Sequence, residues 1–289
     1  MNTTRREFLA TVAGAAASAT TLAAQAVREI KSPFNGPIGL QMWSLRESLP
    51  KDLAGTLAKI RAMGFRDVEG AGLWGTTVEK MRAALDAAGL RCTSAHMQLD
   101  RLDKDVAGAL TEAKAMGASM VVCPWIQEKV TRDDIMKAAD VFNKAAKAAH
   151  DRGMRFGYHC HGYEFIPSSD GTLFDTLMKN TDPKMVEVQV DVFHAFHGGA
   201  DPAKLITQLG SRVTSLHLKD LKKGAPVKAG TALGTPDVDV PVGTGQVDWP
   251  AVLRAAKAAG PQRYFVEDES ADPLGHIPQS VKYLEGIKI

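Results

Sequence analysis

Short apolar or alternating runs recur along the chain, and a longer Ala-rich stretch with helical spacing follows each of them. Runs of this length are typical of β-strands, whereas apolar residues three and four apart are typical of amphipathic helices. The runs are IGLQMWS (38–44), FRDVEGA (65–71), RCTSAHMQ (91–98), SMVVCPW (119–125), RFGYHCH (155–161), VEVQVDVFH (186–194), VTSLHLKD (213–220) and RYFVEDE (263–269). The pattern predicts eight strands alternating with helices.

Several predicted helices end at a glycine that can take the left-handed conformation, as in 52–64, 77–89, 105–117 and 131–153. Regular alternation of strand and helix predicts a parallel sheet with right-handed crossovers. Eight such units favour closure over an open doubly wound sheet, and neither G-x-G-x-x-G nor a P-loop follows any run to support a nucleotide site. The predicted fold class is α/β, a single (β/α)8 barrel.

Side-chain alternation indicates which face of each strand points into the barrel. In 186–192 four valines share one face, and Glu187, Gln189 and Asp191 share the other. The same parity gives an inward polar set: Gln41, Trp43, Asp67, Glu69, Ser94, His96, Gln98, His159, His161, Ser215, His217, Lys219, Glu267 and Glu269. One or two of these could be hydrogen-bonded core residues, but burying the whole set is costly unless it serves a ligand or a metal.

Four inward residues lie near the C-terminal ends of consecutive strands, where barrel enzymes hold their active sites. They are His159, Asp191, His217 and Glu267, the predicted ligands of one divalent metal ion. Imidazole with carboxylate suits Mn²⁺, our first candidate, as well as Zn²⁺, Co²⁺ or Mg²⁺. The alternative for HCH alone is a pair of strand histidines without a metal.

Residues 1–26 contain Arg5 and Arg6, a weakly apolar Ala-rich stretch and a small-residue cleavage pattern. These features predict a twin-arginine signal peptide, a barrel domain over 27–289 and a periplasmic location. An uncleaved membrane anchor is the alternative. Since the signal would be removed, no stable membrane association is expected.

The chain has 289 residues and a formal net charge of +2, with dispersed charges and no run of one sign. A nucleic-acid partner is therefore not expected, and the expected partner is a small carbohydrate. A homo-oligomer is compatible with the sequence, which does not fix the oligomeric state. The odd set Cys92, Cys123 and Cys160 is interpreted as buried thiols.

The chain resembles the sugar phosphate isomerase/epimerase group of xylose isomerase-like TIM barrels over nearly all of residues 27–289. The matching pieces are IGLQMWSLR, YHCHGYEF, DVFH, LHLKD, PVGTGQVDW, FVEDES and DPLGHIPQSVKYL. The resemblance implies one metal bound from strands five to eight, by His159, Asp191, His217 and Glu267. His159 departs from the family pattern, because epimerases of the group carry glutamate there and use two glutamates as bases.

The remaining predicted roles follow from this comparison. Glu267 is the candidate base, Glu164 a second acid or base, and Lys219 a group that stabilises an enolate or pairs with Glu187 or Glu269. The predicted substrate contacts are Trp43, Glu69, His96, His161 and His194. Glu69 pairing with Arg46 is an alternative, and the Gly- and Pro-rich segment 221–247 is predicted to form a lid.

Two classes of function remain open. The first is a metal-dependent sugar isomerase or epimerase acting on an unphosphorylated sugar through an enolate, with 3-oxo-glycoside lyase or hydratase chemistry as its variant. The histidine in place of glutamate fits a one-sided elimination at least as well as a two-faced epimerisation. The second class is a periplasmic carbohydrate-binding barrel without turnover. The endonuclease branch of the fold is disfavoured because it needs more metal ligands and a basic groove.

Overall fold

A computed structural model describes residues 28–169, 171–231 and 234–289. Eight parallel strands in these ranges close into a barrel in which each strand pairs with its neighbours in sequence and the last pairs with the first. The strands are β1 (Ile38–Gln41), β2 (Asp67–Gly70), β3 (Arg91–His96), β4 (Met120–Cys123), β5 (Arg155–His159), β6 (Val186–Asp191), β7 (Val213–Leu218) and β8 (Arg263–Val266). The predicted fold class is confirmed.

Helices connect the strands and pack against the outside of the barrel. They are α1 (Leu53–Ala62), α2 (Val78–Ala88), α3 (Leu99–Met116), α4 (Arg132–His150), α5 (Leu173–Lys179), α6 (Val192–His197), α7 (Pro202–Leu209), α8 (Trp249–Ala259) and α9 (Pro273–Gly286). Within the described ranges, no helix is both long enough and apolar enough to span a bilayer. The predicted signal peptide, 1–26, lies outside the described residues.

Each predicted strand is present but ends earlier than its apolar run. After β1, Met42–Leu45 form a 3-10 turn. Its N-cap is Gln41, whose side-chain oxygen accepts a hydrogen bond from the amide of Trp43. After β6, Asp191 accepts the amide of His194 and starts α6. Polar side chains at the strand ends therefore turn the chain while they face the barrel mouth.

The predicted parity of β6 is correct. One face of β6 is apolar. It carries Val186, Val188 and Val190, and together with Val192, directly after the strand, they are fully buried in a core cluster that also contains residues of the helices. On the inner face, Gln189 donates to Ser215 of β7 at 2.9 Å, which places a polar layer inside the barrel. Because the two strands pair with Asp191 opposite His217, the next inner position brings a carboxylate beside an imidazole.

Candidate metal centre

The four predicted metal ligands lie at or next to the C-terminal ends of their strands, at the mouth of the barrel. His159 is the last residue of β5, Asp191 the last of β6, and Glu267 directly follows β8. All four are buried, with relative exposures of 3% for His159, 0% for Asp191 and His217, and 7% for Glu267. The closed parallel register is what brings these ends together.

The donor atoms converge on the carboxylate of Asp191. Its Oδ2 lies 3.7 Å from Nδ1 of His217 and 3.9 Å from Nε2 of His159. Nδ1 of His217 lies 2.9 Å from Oε2 of Glu267. Donors of Asp191, His217 and Glu267 all lie within 4.8 Å of one another, whereas His159 groups with His217 and His96 and, separately, with His161 and His194. Three of the predicted ligands thus form one compact group, and His159 lies next to it, 3.9 Å from Asp191.

Asp191 provides the test of whether a cation fits. Its Oδ1 accepts the amide of His194 at 2.7 Å, but Oδ2 is buried and has no hydrogen-bond partner among the described residues. Burial raises the pKa of this carboxyl to about 7. Since a buried carboxylate oxygen without a partner is destabilising, and the surrounding donors are imidazole and carboxylate, the residues present fit a divalent ion.

A second layer of polar side chains orients the two imidazoles. Nδ1 of His159 and Nε2 of His96 both contact Oε1 of Gln189, at 2.9 and 3.0 Å. An amide oxygen only accepts, so both nitrogens donate, and Nε2 of His159 is left to face Asp191. Nε2 of His217 contacts Oε1 of Glu69 at 2.6 Å, which leaves its Nδ1 toward Glu267. Both rings are therefore held with one nitrogen toward the centre.

Glu69 corrects one expectation from the sequence. It has no exposure and accepts hydrogen bonds from Gln41 at 2.8 Å and Ser94 at 2.5 Å as well as contacting His217. Although burial opposes it, the charges of His96 and His217 hold the pKa of Glu69 well below its usual range. Glu69 anchors His217 below the cavity. Glu69 is not among the described residues that line the cavity beside the centre, and Arg46 contacts Trp43 and Glu269 instead.

The charges of the centre are paired. Despite burial, Glu267 and Glu69 raise the pKa of His217 to about 10, because the two carboxylates favour the charged form of the ring. Burial likewise opposes the charge on Glu267, but His217 and Lys219 lower the pKa of that carboxyl to about 2. An ionised Glu267 thus faces the cavity at neutral pH.

A cavity of about 300 Å³ opens beside the centre. Its lining contains six of the predicted site residues: Trp43 at the rim, His96, His159, His161, His194 and Glu267. Ala71, Gln98, Pro124, Trp125 and Glu269 complete the lining. Among the described residues, neither lysine nor arginine lines this cavity. It therefore suits a neutral, hydroxyl-bearing ligand better than a phosphate.

His161 and His194 form one wall of the cavity. Their ring centroids are 4.5 Å apart, and each has a buried Nδ1 without a hydrogen-bond partner among the described residues. Burial, reinforced by the charge of Lys219, lowers the pKa of His161 to about 3 and that of His194 well below its usual range. Two neutral imidazoles therefore face the ligand space.

Glu164 does not reach the cavity, which corrects its predicted acid or base role. The 3-10 turn Tyr163–Phe165 folds behind β5, so its carboxylate accepts from Tyr158 at 2.7 Å and from the amide of His161 at 2.8 Å. It has no exposure, and burial raises its pKa to about 8. Glu164 is thus a buried support of the β5 end.

Lys219 also lies behind the cavity wall. It forms an ion pair with Glu269 and lies 3.8 Å from Asp239 and 3.5 Å from Nε2 of His194. Of its two predicted carboxylate partners it meets Glu269, while Glu187 pairs with Arg155. Since it is 1% exposed, Lys219 acts through His194 and Glu269, as a positioning residue.

The rim of the cavity has two tryptophans. Trp43 is 41% exposed, and its Nε1 donates to Glu269 at 3.0 Å. Trp125 was missed, although it lies two residues after the end of β4, as Trp43 lies two residues after the end of β1. Its ring packs edge-on against His161 and Tyr163, at 4.7 and 4.9 Å. A tryptophan just after a barrel strand was the available signal.

The segment 221–247, the predicted lid, is anchored to the end of β7. An antiparallel pairing joins Asp220–Leu221 to Asp239–Val240. Asp220 also accepts from the amides of Gly243 and Gly245, at 2.9 and 3.1 Å, and from Nε1 of Trp249 at 2.8 Å. No described residue of this segment lines the cavity. Its described part is therefore an anchored loop that does not line the cavity, and the lid stays a prediction.

Comparison with known proteins places this geometry in context. An inosose dehydratase of Geobacillus thermodenitrificans is 30% identical over 147 residues, which cover 46% of this chain and 46% of the relative. The chain thus matches less than half of that relative's length. A sugar phosphate isomerase/epimerase from Parabacteroides distasonis superposes with a TM-score of 0.71 at 25% identity, over 90% of this chain and 97% of that one.

A xylose isomerase-like TIM barrel protein from Mycobacterium smegmatis, solved in complex with magnesium, superposes with a TM-score of 0.65. It is 17% identical and covers 87% of this chain and 96% of its own, so it bears on the fold alone. The family model for xylose isomerase-like TIM barrels matches residues 57–287. Because this match spans most of the sequence, the chain belongs to the xylose isomerase-like TIM barrel family.

Proposed function

We propose that the protein is a metal-dependent carbon–oxygen lyase that removes water or an alcohol from an unphosphorylated cyclic keto-sugar or keto-polyol. The observation that carries this proposal is Oδ2 of Asp191, which is buried and has no hydrogen-bond partner among the described residues. It lies near His217, Glu267 and His159, beside a cavity whose described lining contains neither lysine nor arginine. The similarity to an inosose dehydratase supports the same class of reaction. The proposal includes export through residues 1–26. Because phosphorylated sugars are scarce outside the cytoplasm, an exported enzyme would act on an unphosphorylated substrate.

His159, Asp191, His217 and Glu267 would hold one divalent ion, with Mn²⁺ the first candidate. When bound, it would polarise the carbonyl oxygen of the substrate and acidify the neighbouring C–H bond. The second layer serves this role, because Gln189 and Glu69 fix which nitrogen of each imidazole faces the centre.

Glu267 takes the proton in this mechanism. Its carboxylate lines the cavity, and His217 contacts only one of its oxygens, Oε2. Glu267 removes the α-proton, the C–O bond on the next carbon breaks as the C=C bond forms, and the same carboxyl group returns the proton to the departing oxygen. Atoms balance as substrate giving an enone plus water or alcohol. His161 and His194 bind ring hydroxyls.

The position of Glu164 favours elimination over epimerisation. Inverting a carbon needs a second group on the opposite face of the substrate, and Glu164, the predicted second base, lies behind Tyr158 with no exposure. Removing a proton and a hydroxyl from one face needs only one such group. The hypothesis of an isomerase or epimerase therefore has less support than the hypothesis of an eliminating lyase.

Product analysis tests the proposal. Protein loaded with Mn²⁺ is incubated in D₂O with an inosose, a 3-oxo-glucoside and a ketose, and products are followed by NMR. We expect an enone from one of the first two substrates and its loss in Glu267→Gln. An epimer as the main product would overturn the lyase assignment. Binding of sugar that Glu267→Gln leaves intact, without turnover by either protein, would instead indicate a carbohydrate-binding barrel.

A further inference from the structure

A second cavity, of about 470 Å³, lies directly beside the one at the metal centre. Trp125 and Gln98 line both cavities. The second is formed by the start of α3, the chain after β4 and the first turns of α4. We call it the outer groove, and Asp103, Trp125, Gln127, Lys137 and Val141 are the lining residues that matter below.

The wall between the two spaces is held rigidly. Trp125 packs edge-on against Tyr163, whose hydroxyl accepts the amide of Ile126 at 3.0 Å. Tyr163 in turn meets the hydroxyl of Tyr158 at 3.0 Å, and Tyr158 donates to the buried carboxyl of Glu164. This chain of contacts fixes the tryptophan and the backbone after it. The HGYEF segment therefore has a structural role here, separate from the proposed chemistry at the metal.

The size of the inner cavity limits what it can hold. Ligand cavities of proteins usually span roughly 300 to 1,000 Å³, so the inner cavity, at about 300 Å³, is at the lower end. A single small ring fits such a space, and any group attached to that ring must extend past its rim. The outer groove begins at that rim, and Trp125 offers the kind of aromatic surface on which sugar or aryl rings pack.

The charges around the outer groove define the attached group. Among the described residues, three carboxylates line it, those of Asp100, Asp103 and Asp134, and one cationic side chain, that of Lys137. Asp134 is engaged by the backbone and hydroxyl of Thr131, at 2.9 and 2.6 Å, so it stays in place as a fixed charge. An anionic group would be repelled here, whereas a neutral hydroxyl-bearing or aryl group meets apolar surface at Ile126 and Val141 together with acceptors.

From these observations we infer that the outer groove is the leaving-group subsite, and that the substrate is a neutral 3-oxo-glycoside instead of a free keto-sugar. The inference rests on the proposed lyase function and narrows its substrate class. The oxidised ring occupies the inner cavity, and the aglycone lies on Trp125 in the groove. Proton loss at C2 and breakage of the C1–O bond then release an enone and the aglycone alcohol, whose oxygen receives the proton.

The test blocks the groove without touching the metal centre. Val141 is half-buried on α4 and lines the outer groove but not the cavity at the metal centre, so Val141→Trp fills the groove. Lys144→Trp puts the same residue on the exposed side of the same helix as a matched control. We expect Val141→Trp to lower kcat/KM for p-nitrophenyl 3-oxo-β-glucoside at least tenfold and to change that for an inosose less than twofold. Lys144→Trp should change neither.

A change of charge in the outer groove provides a second test of the subsite. Asp103 is exposed on α3, and Asp103→Lys should raise kcat/KM for a p-carboxyphenyl 3-oxo-glucoside several-fold relative to the p-nitrophenyl compound. Equal effects of Val141→Trp on both substrates, or none on either, would overturn the subsite while leaving the lyase function intact.

If neither substrate turns over, the proposed function fails, and the subsite is judged by calorimetric binding of unoxidised p-nitrophenyl β-glucoside. Binding that Val141→Trp weakens at least tenfold upholds the subsite. Binding that is absent, or that Val141→Trp leaves unchanged, refutes it.

Discussion

Oδ1 of Asp191 accepts the backbone amide of His194 at 2.7 Å, so the carboxylate at the metal centre is also the N-cap of α6. The two oxygens have separate tasks, since Oδ2 faces His217 and His159 without a hydrogen-bond partner among the described residues. One side chain thus joins the end of a barrel strand, the start of a helix and the proposed cation site. Substitutions can separate these tasks.

We predict that Asp191→Asn and Asp191→Ala differ in stability but not in metal binding. Asparagine is a good N-cap, whereas alanine loses a cap contribution of about 1 kcal/mol. Both variants lack the carboxylate that would bind the ion. Thermal unfolding with and without Mn²⁺ measures both effects, because an ion at 100 times its Kd stabilises the folded protein by about 2.7 kcal/mol. An Mn²⁺-induced rise in Tm of Asp191→Asn equal to that of the unsubstituted protein would contradict the assignment.

A second prediction concerns Glu69, which contacts Nε2 of His217 at 2.6 Å. Glu69→Gln should weaken Mn²⁺ binding by roughly 10- to 100-fold, the usual effect of losing a carboxylate that orients a histidine ligand. Asp67→Asn is the matched control, since Asp67 lies on the same strand and pairs with Arg91 and Arg263 at the opposite end of the barrel. Calorimetric titration measures the affinities. Equal losses in the two variants would mean that general destabilisation, not histidine orientation, is the cause.

The sequence predicted the barrel and the centre for the same physical reason. A period of two fixes which residues of β6 point inward, and parallel register brings the ends of neighbouring strands to one level, so Asp191 and His217 meet. Parity does not fix depth along the barrel axis. Glu69 was therefore expected at the cavity, although it lies one layer lower among Gln41 and Ser94.

Positions beyond a strand end were predicted less well. Parity ends where the strand ends, and the 3-10 turn Tyr163–Phe165 directs Glu164 toward Tyr158 on the outer side of β5. Lys219 pairs with a residue far away in the sequence. The sequence offered two candidate partners, Glu187 and Glu269, and did not decide between them. Local turns and distant pairings are decided by tertiary packing, which a period-two pattern does not record.

A third prediction uses the pKa of Glu164, raised by burial from about 4.5 to about 8. Between these values the folded protein holds a proton that the unfolded chain has lost, so the free energy of unfolding falls as pH rises from 4.5 to 8. Glu164→Gln removes this dependence. The variant should gain stability relative to the unsubstituted protein by up to about 1.4 kcal/mol per pH unit across that window.

Urea unfolding at pH 5, 6, 7 and 8 measures this difference. Glu79→Gln is the control, because the pKa of the exposed Glu79 is lowered by hydrogen bonds at the start of α2. Its contribution is lost only as pH falls below the ordinary value, so it should be constant over the measured range. A constant difference between Glu164→Gln and the unsubstituted protein would show that Glu164 is ionised throughout.

The last prediction concerns Asp220, which organises the loop after β7. Its carboxylate accepts from the amides of Gly243, Gly245 and Val247 and from the indole of Trp249. Asparagine replaces one acceptor oxygen with a donor that faces these N–H groups. Asp220→Asn should therefore lower the free energy of unfolding by roughly 2 kcal/mol, the usual cost of leaving a buried donor unpaired.

The same substitution should expose the segment 221–247 to limited proteolysis, because the loop and its hairpin share this anchor. Asp237→Asn is the control, since Asp237 is exposed in the same segment and accepts a hydrogen bond from the hydroxyl of Thr235 at 2.5 Å. Metal affinity should change little in either variant, as the loop does not line the cavity. Loss of Mn²⁺ binding in Asp220→Asn at temperatures where the barrel stays folded would show that the loop supports the centre directly.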